Sequence, residues 1–172
     1  DGAGAVVMTR TESNSIGILN SQLHSEGKHA KELSLIGPST GRWIPEIMKE
    51  NDPEDISYYP YMNGQFVFKN AVVRFTEVIN AGLKKVGWKP NEIDMLIPHQ
   101  ANLRIAQFVQ KKFGLSDNQV YNNIQRYGNT TAASIPIALT EAWEEGKIEK
   151  GNKVVLAAFG SGFTWGSIMI QW

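Results

Sequence analysis

The stretch "DMLIPHQANLRIAQFVQKKFG", residues 94–114, changes its period part-way along. Asp94–Pro98 carries a short apolar run of strand type. From Ala101 onward apolar residues return at helical spacing, with Leu103, Ala106, Val109 and Phe113 on one side and Gly114 as a stop. A strand that feeds directly into a helix is the unit from which α/β sheets are built. His99 stands at the junction, at the carboxyl end of the strand, where such sheets usually place ligand sites.

Working outward, two further segments show helical periodicity. In residues 69–87 the apolar positions Val72, Phe75, Ile79, Leu83 and Val86 form one stripe that Gly87 is placed to end. Between about residues 131 and 145 the stripe is Ala132, Ile135, Leu139 and Ala142, with Thr130 or Thr131 as the expected N-cap, Gly146 as the stop and Pro136 placed to bend the first turn. Strand-type runs lie between and after these helices: "GILNSQL", "VYNNI", "KVVLAAFG" and "TWGSIMIQW", the last two joined by a glycine-bearing turn. With "DMLIP" they predict a mixed five-stranded sheet flanked by helices, of α/β class. Residues 25–61 break the rhythm with Gly37, Pro38, Gly41, Pro45, Pro53 and Pro60 and read as a long surface excursion.

The chain has 172 residues, 42% of them hydrophobic, enough for one core and short for two full-sized domains. Lys plus Arg and Asp plus Glu both number 17, so no global field recruits nucleic acid or an anionic membrane. Neither is expected as a partner. With no cysteine, the chain can form no disulfide, no thiolate metal site and no cysteine nucleophile of its own. No apolar run approaches the roughly 18 residues of a membrane span, and no basic leader precedes an apolar signal core. A soluble, cytoplasmic protein is the expectation. "DGAGAVVM" enters an apolar strand-like run with neither an initiator Met nor a polar leader, which points to a piece of a longer protein.

Three places could carry chemistry. His99 reads either as a helix cap or turn residue, or as a donor in a site. Asn129 in "YGNTTAAS" reads either as a cap or as a carboxamide at the mouth of a helix. "FGSGFTWG" reads either as a tight hairpin turn or as exposed backbone N–H groups able to hold an oxyanion. A neutral imidazole and a carboxamide can each donate one hydrogen bond to a carbonyl oxygen, and together they stabilise an enolate without a metal. The pair lacks a nucleophile: there is no G-x-S-x-G elbow, and Ser161 lies in a hairpin. His24, His29 and His99 have no metal-ligand spacing, and "DGAGA" is not a dinucleotide fingerprint, so neither a metal nor another cofactor is implied.

"PHQANLRI", "YGNTTAASIP" and "FGSGFTWGS", in that order and at these separations, resemble the second half of β-ketoacyl-acyl carrier protein synthase III, a thiolase-fold condensing enzyme that starts fatty acid chains. The resemblance implies half of a thiolase-like fold, with residues 1–9 as the last strand of an absent N-terminal half and residues 15–172 as the C-terminal domain. It implies that the absent half carries the nucleophilic cysteine, that acyl-CoA and malonyl-acyl carrier protein are the substrates, and that the full protein is a homodimer. His99 and Asn129 match the family's enolate-stabilising pair, and Phe159 matches the aromatic beside the histidine. Ser161 stands where the family often has Gly, at a backbone N–H that completes the oxyanion hole.

The resemblance also gives the cations a reading. Lys69, Arg104, Lys111 and Lys112 match a docking patch for acidic acyl carrier protein, with Ala101 and Asn102 beside the pantetheine tunnel. The alternative for the lysines is a solvated helix face. Gln65 stands where the family often has Asn, a departure at a pantetheine contact. Two other functions compete with the synthase: a condensing enzyme of secondary metabolism, and a non-catalytic module that binds a carrier protein.

Overall fold

A computed structural model describes residues 1–35 and 59–172 of the chain. Its main sheet is built from β1 (Gly17–Ser25), β4 (Met95–Pro98), β5 (Lys153–Gly160) and β6 (Thr164–Gln171) in the order β1-β6-β5-β4. β1 and β5 are antiparallel to β6, while β4 is parallel to β5, so the sheet is mixed as expected. A small antiparallel ladder joins β2 (Leu33–Ser34) to β3 (Tyr61–Met62). The excursion expected over residues 25–61 begins with a 3-10 turn, Gly27–Glu32, and most of the rest lies outside the described residues.

Among the described residues the main sheet has four strands, not five. Where "VYNNI" was expected to add the fifth, Val120 makes a single parallel bridge to Leu96, and the Tyr121 N–H donates to the Leu96 carbonyl at 3.0 Å. Pairing stops there because the N–H groups of Asn123 and Ile124 turn to the Gln100 side chain, and the short helix α3 (Ile124–Tyr127) begins.

The alternation of β5 sorts the core into two faces. Val155, Ala157 and Phe159 pack with Leu96 under the helices α1 (Gly64–Val86) and α2 (Leu103–Phe113). Val154 and Leu156 pack with Met95 and Ile97 under α4 (Ser134–Glu144). Each of these Val, Leu, Ile, Phe or Met side chains, fully buried, contributes about 1.5–3 kcal/mol.

Helix α1 begins at Gly64, earlier than the Lys69 that periodicity suggested, because the Asn63 side chain accepts from the Phe66 N–H. Val72, Phe75, Ile79 and Leu83 of the expected stripe are buried, and Gly87 ends the helix at φ 73°, a conformation open to glycine. Helix α2 buries Ile105, Ala106, Val109 and Phe113. Leu103, expected inside, is 39% exposed at the first helical position. Helix α4 follows a 3-10 turn, Thr131–Ala133, and neither Thr130 nor Thr131 supplies a capping side chain. Pro136 is its third residue, where the missing N–H costs no intrahelical bond.

Residues 1–10 form no strand within this chain and are exposed, with residues 2–5 lying against Thr130, Pro136 and Ile137. Among the described residues no helix is long and apolar enough to cross a membrane.

Candidate active site

His99 is placed by the sheet. Its backbone N–H donates to the Ala157 carbonyl at 2.8 Å, extending the parallel ladder in which Pro98 sits opposite Ala157. The Ala101 N–H then closes a turn on the His99 carbonyl at 2.9 Å. The ring is half-buried, and its Nδ1 lies 2.6 Å from the Ser134 hydroxyl at the start of α4. Burial pushes the imidazole below its ordinary pKa, which favours the neutral ring. His99 does not cap α2: the Asn102 side chain does, accepting from the Arg104 N–H at 2.9 Å.

Gln100, 3% exposed, uses both ends of its carboxamide. Its Nε2 donates to the carbonyls of Pro98 at 2.7 Å and Tyr121 at 3.3 Å, and its Oε1 accepts from the N–H groups of Asn123 at 3.0 Å and Ile124 at 3.2 Å. The segment ahead of α3 is thereby tied to the turn that holds His99. A second tie runs to α4, where Glu141 accepts from Asn123 Nδ2 at 2.8 Å and from Arg126 at 2.6 Å, and also binds the Tyr127 hydroxyl. Asn129 lies between these anchors and Ser134, which holds the His99 ring. The segment that carries Asn129 is therefore tied on both sides to the turn that holds His99.

Asn129 itself is exposed, and its Oδ1 accepts from the Thr131 N–H at 2.9 Å. No described residue takes its Nδ2. Thr131 has φ 51°, the left-handed region that a β-branched residue rarely adopts. Strain of this kind collects at functional sites.

The hairpin between β5 and β6 arrives at the same end, because Phe159 and Gly160 continue β5 beyond the level of Ala157 and His99. Phe159 is buried, with its ring 4.8 Å from that of Phe163. The Ser161 hydroxyl donates to the Leu33 carbonyl at 2.6 Å and fastens the turn to β2, while the Ser161 carbonyl accepts from the Thr164 hydroxyl at 2.8 Å.

Arg104, Lys111 and Lys112 are exposed on α2, and Lys69 and Gln65 are exposed on α1, which packs beside it. None of the four cations forms an ion pair among the described residues. Phe108, 44% exposed, sits among the α2 cations. Ala101 and Asn102 are exposed at the turn between His99 and that helix. Among the described residues no cluster of acidic or histidine side chains could hold a metal ion.

Residues 83–172, which include β4, α4 and the hairpin, match the family model described as 3-oxoacyl-(acyl-carrier-protein) synthase III C terminal. The chain belongs to this family. A beta-ketoacyl-acyl-carrier-protein synthase III of Desulfotalea psychrophila is 44% identical over the whole chain, and one of Clostridium tetani is 41% identical. The chain spans about half the length of the curated relatives it matches, 51% and 52% in these two. Among solved structures, the 3-oxoacyl-acyl-carrier-protein synthase III of Aquifex aeolicus superposes with a TM-score of 0.80 at 37% identity, over 95% of this chain and 47% of that one. The enzyme of Pseudomonas aeruginosa gives 0.80 at 33%, with the same coverage. The fold is therefore the thiolase-like α/β architecture of the synthase III family.

Two residues of this synthase III domain escaped the sequence reading, Gln100 and Ser134. A signal was present for Ser134. It falls at four-residue intervals with Ala138 and Ala142, so the buried stripe of α4 starts on a hydroxyl rather than on Ala132. Gln100 offered no such signal, because its worth rests on backbone groups distant in sequence.

Proposed function

We propose that the chain is the C-terminal half of a decarboxylating condensing enzyme, which joins acyl-CoA to malonyl-acyl carrier protein to give 3-oxoacyl-acyl carrier protein and starts fatty acid synthesis. The observation that carries this reading is the convergence of His99, the segment holding Asn129 and the 159–161 turn at the carboxyl ends of β4 and β5. The chain has no cysteine, so the acylated nucleophile belongs to an N-terminal half. The full protein is a cytoplasmic homodimer, and this half alone is inactive.

In the reaction, the bond between the malonyl carboxylate and its α-carbon breaks, CO₂ leaves, and the electron pair passes into the thioester as an enolate. The enolate carbon then attacks the acyl-cysteine carbonyl, and collapse of the tetrahedral oxyanion expels the cysteine thiolate. His99 and Asn129 Nδ2 donate to the thioester oxygen, where negative charge grows as CO₂ departs, so their bonds strengthen toward the transition state. The Ser161 backbone N–H serves the oxyanion of the second step, and Phe159 keeps water out. Lys69, Arg104, Lys111 and Lys112 dock the acidic carrier protein, whose pantetheine arm passes Ala101 and Asn102. The exposure of these cations, and their lack of an ion pair among the described residues, support the docking role.

The test uses the full-length protein. Asn129→Ala should slow CO₂ release from malonyl-carrier protein without slowing acylation of the cysteine. Charge reversal at Arg104 together with Lys111 should raise the KM for the carrier substrate and leave reaction with acyl-CoA intact. Unchanged decarboxylation in Asn129→Ala would overturn the assignment.

A further inference from the structure

The contacts of Ser134 bear on which nitrogen of His99 holds its proton. Ser134 is 2% exposed, and its Oγ lies 3.2 Å from the Gln100 backbone N and 2.6 Å from His99 Nδ1. A backbone N–H can only donate, so Oγ accepts from Gln100. The hydroxyl has one proton, and the remaining partner in reach is His99 Nδ1. We infer that Ser134 is a positioning residue: it donates to Nδ1, which makes that nitrogen an acceptor and leaves the single N–H of the neutral ring on Nε2. Gln100 supports the arrangement because its side chain is fully engaged elsewhere, which fixes the peptide whose N–H orients the hydroxyl.

The consequence rests on the proposed role of His99 as an enolate donor. Such a donor needs its N–H on the nitrogen that faces the substrate, and a free imidazole divides its proton between two tautomers. A hydroxyl held from behind removes that division, in the way that outer partners orient functional histidines elsewhere. The ring is fixed as a donor before the substrate arrives, so no reorganisation is needed as charge develops.

The test is nitrogen NMR of histidine-labelled full-length protein near neutral pH, with the His99 signals assigned by their loss in a His99→Gln variant. The expected spectrum shows a protonated Nε2 and a bare Nδ1. Ser134→Ala should give a mixture of tautomers and slow condensation roughly tenfold, the worth of one ordinary hydrogen bond, while cysteine acylation by acyl-CoA stays unchanged. Ser134→Thr, which keeps the hydroxyl, should restore both the spectrum and the rate. A wild-type ring protonated on Nδ1 would overturn the inference even if His99→Ala abolishes condensation. A ring protonated on Nε2 whose removal leaves condensation unchanged would instead sustain the tautomer assignment and sink the enolate role.

Discussion

At the level of single residues, the neutrality of His99 has a measurable cost. Its folded pKa is depressed below the ordinary 6.5 by burial, so the unfolded chain takes up a proton first as pH falls. Between the unfolded and the folded pKa the unfolded state binds more protons. The His99 contribution to stability is thus fully present above about pH 6.5 and is lost as pH drops through that window. Urea unfolding at a series of pH values should show this loss in the wild type and a smaller loss in His99→Gln; identical profiles would contradict it. The carboxylates Glu26 and Glu92, both held low by hydrogen bonds from lysines, titrate at lower pH and do not blur the comparison. The places of His99 and Asn129 were legible in the sequence because each follows a recognisable element boundary. Ser134 and Gln100 were not, since a buried polar residue is defined by partners that only the tertiary fold supplies.

At the level of elements, Asn102 is the N-cap of α2, a structural role that stands beside its proposed place at the pantetheine tunnel. Asn102→Ala should cost about 1 kcal/mol of stability, whereas Asn102→Asp keeps an acceptor and should cost much less. Equal losses in chemical denaturation would argue against the cap. The helices were readable because an apolar stripe at a 3.6-residue period survives tertiary packing, as Phe75, Ile79 and Leu83 illustrate. Their ends were less readable. Asn63 starts α1 outside the apolar pattern, and α4 has no side-chain cap at all. That "VYNNI" adds no fifth strand to the described sheet has a specific cause. "VYNNI" has strand character at Val120 and Tyr121, but the backbone donors of Asn123 and Ile124 are taken by Gln100, an acceptor invisible to local propensity.

For the whole molecule, the surface bears exposed apolar side chains that the proposed partner half would cover. Leu23 is 89% exposed and Ile18 52% on β1, an edge strand of the sheet, and Trp143 is 57% exposed on α4. Single exposed apolar residues are ordinary, but an edge that is unpaired among the described residues and bears two of them invites association. The 172-residue chain alone should elute from a sizing column above its monomer mass, and a cysteine-bearing N-terminal half supplied in trans should convert it to a defined complex. A monodisperse monomer indifferent to that half would count against the assembly. The proposed role of His99 in stabilising the enolate is tested by separating the two half-reactions in full-length protein carrying His99→Ala. Cysteine acylation by acyl-CoA is predicted to proceed at the wild-type rate, while condensation with malonyl-carrier protein falls about 100-fold or more. Condensation within a few-fold of wild type would contradict it.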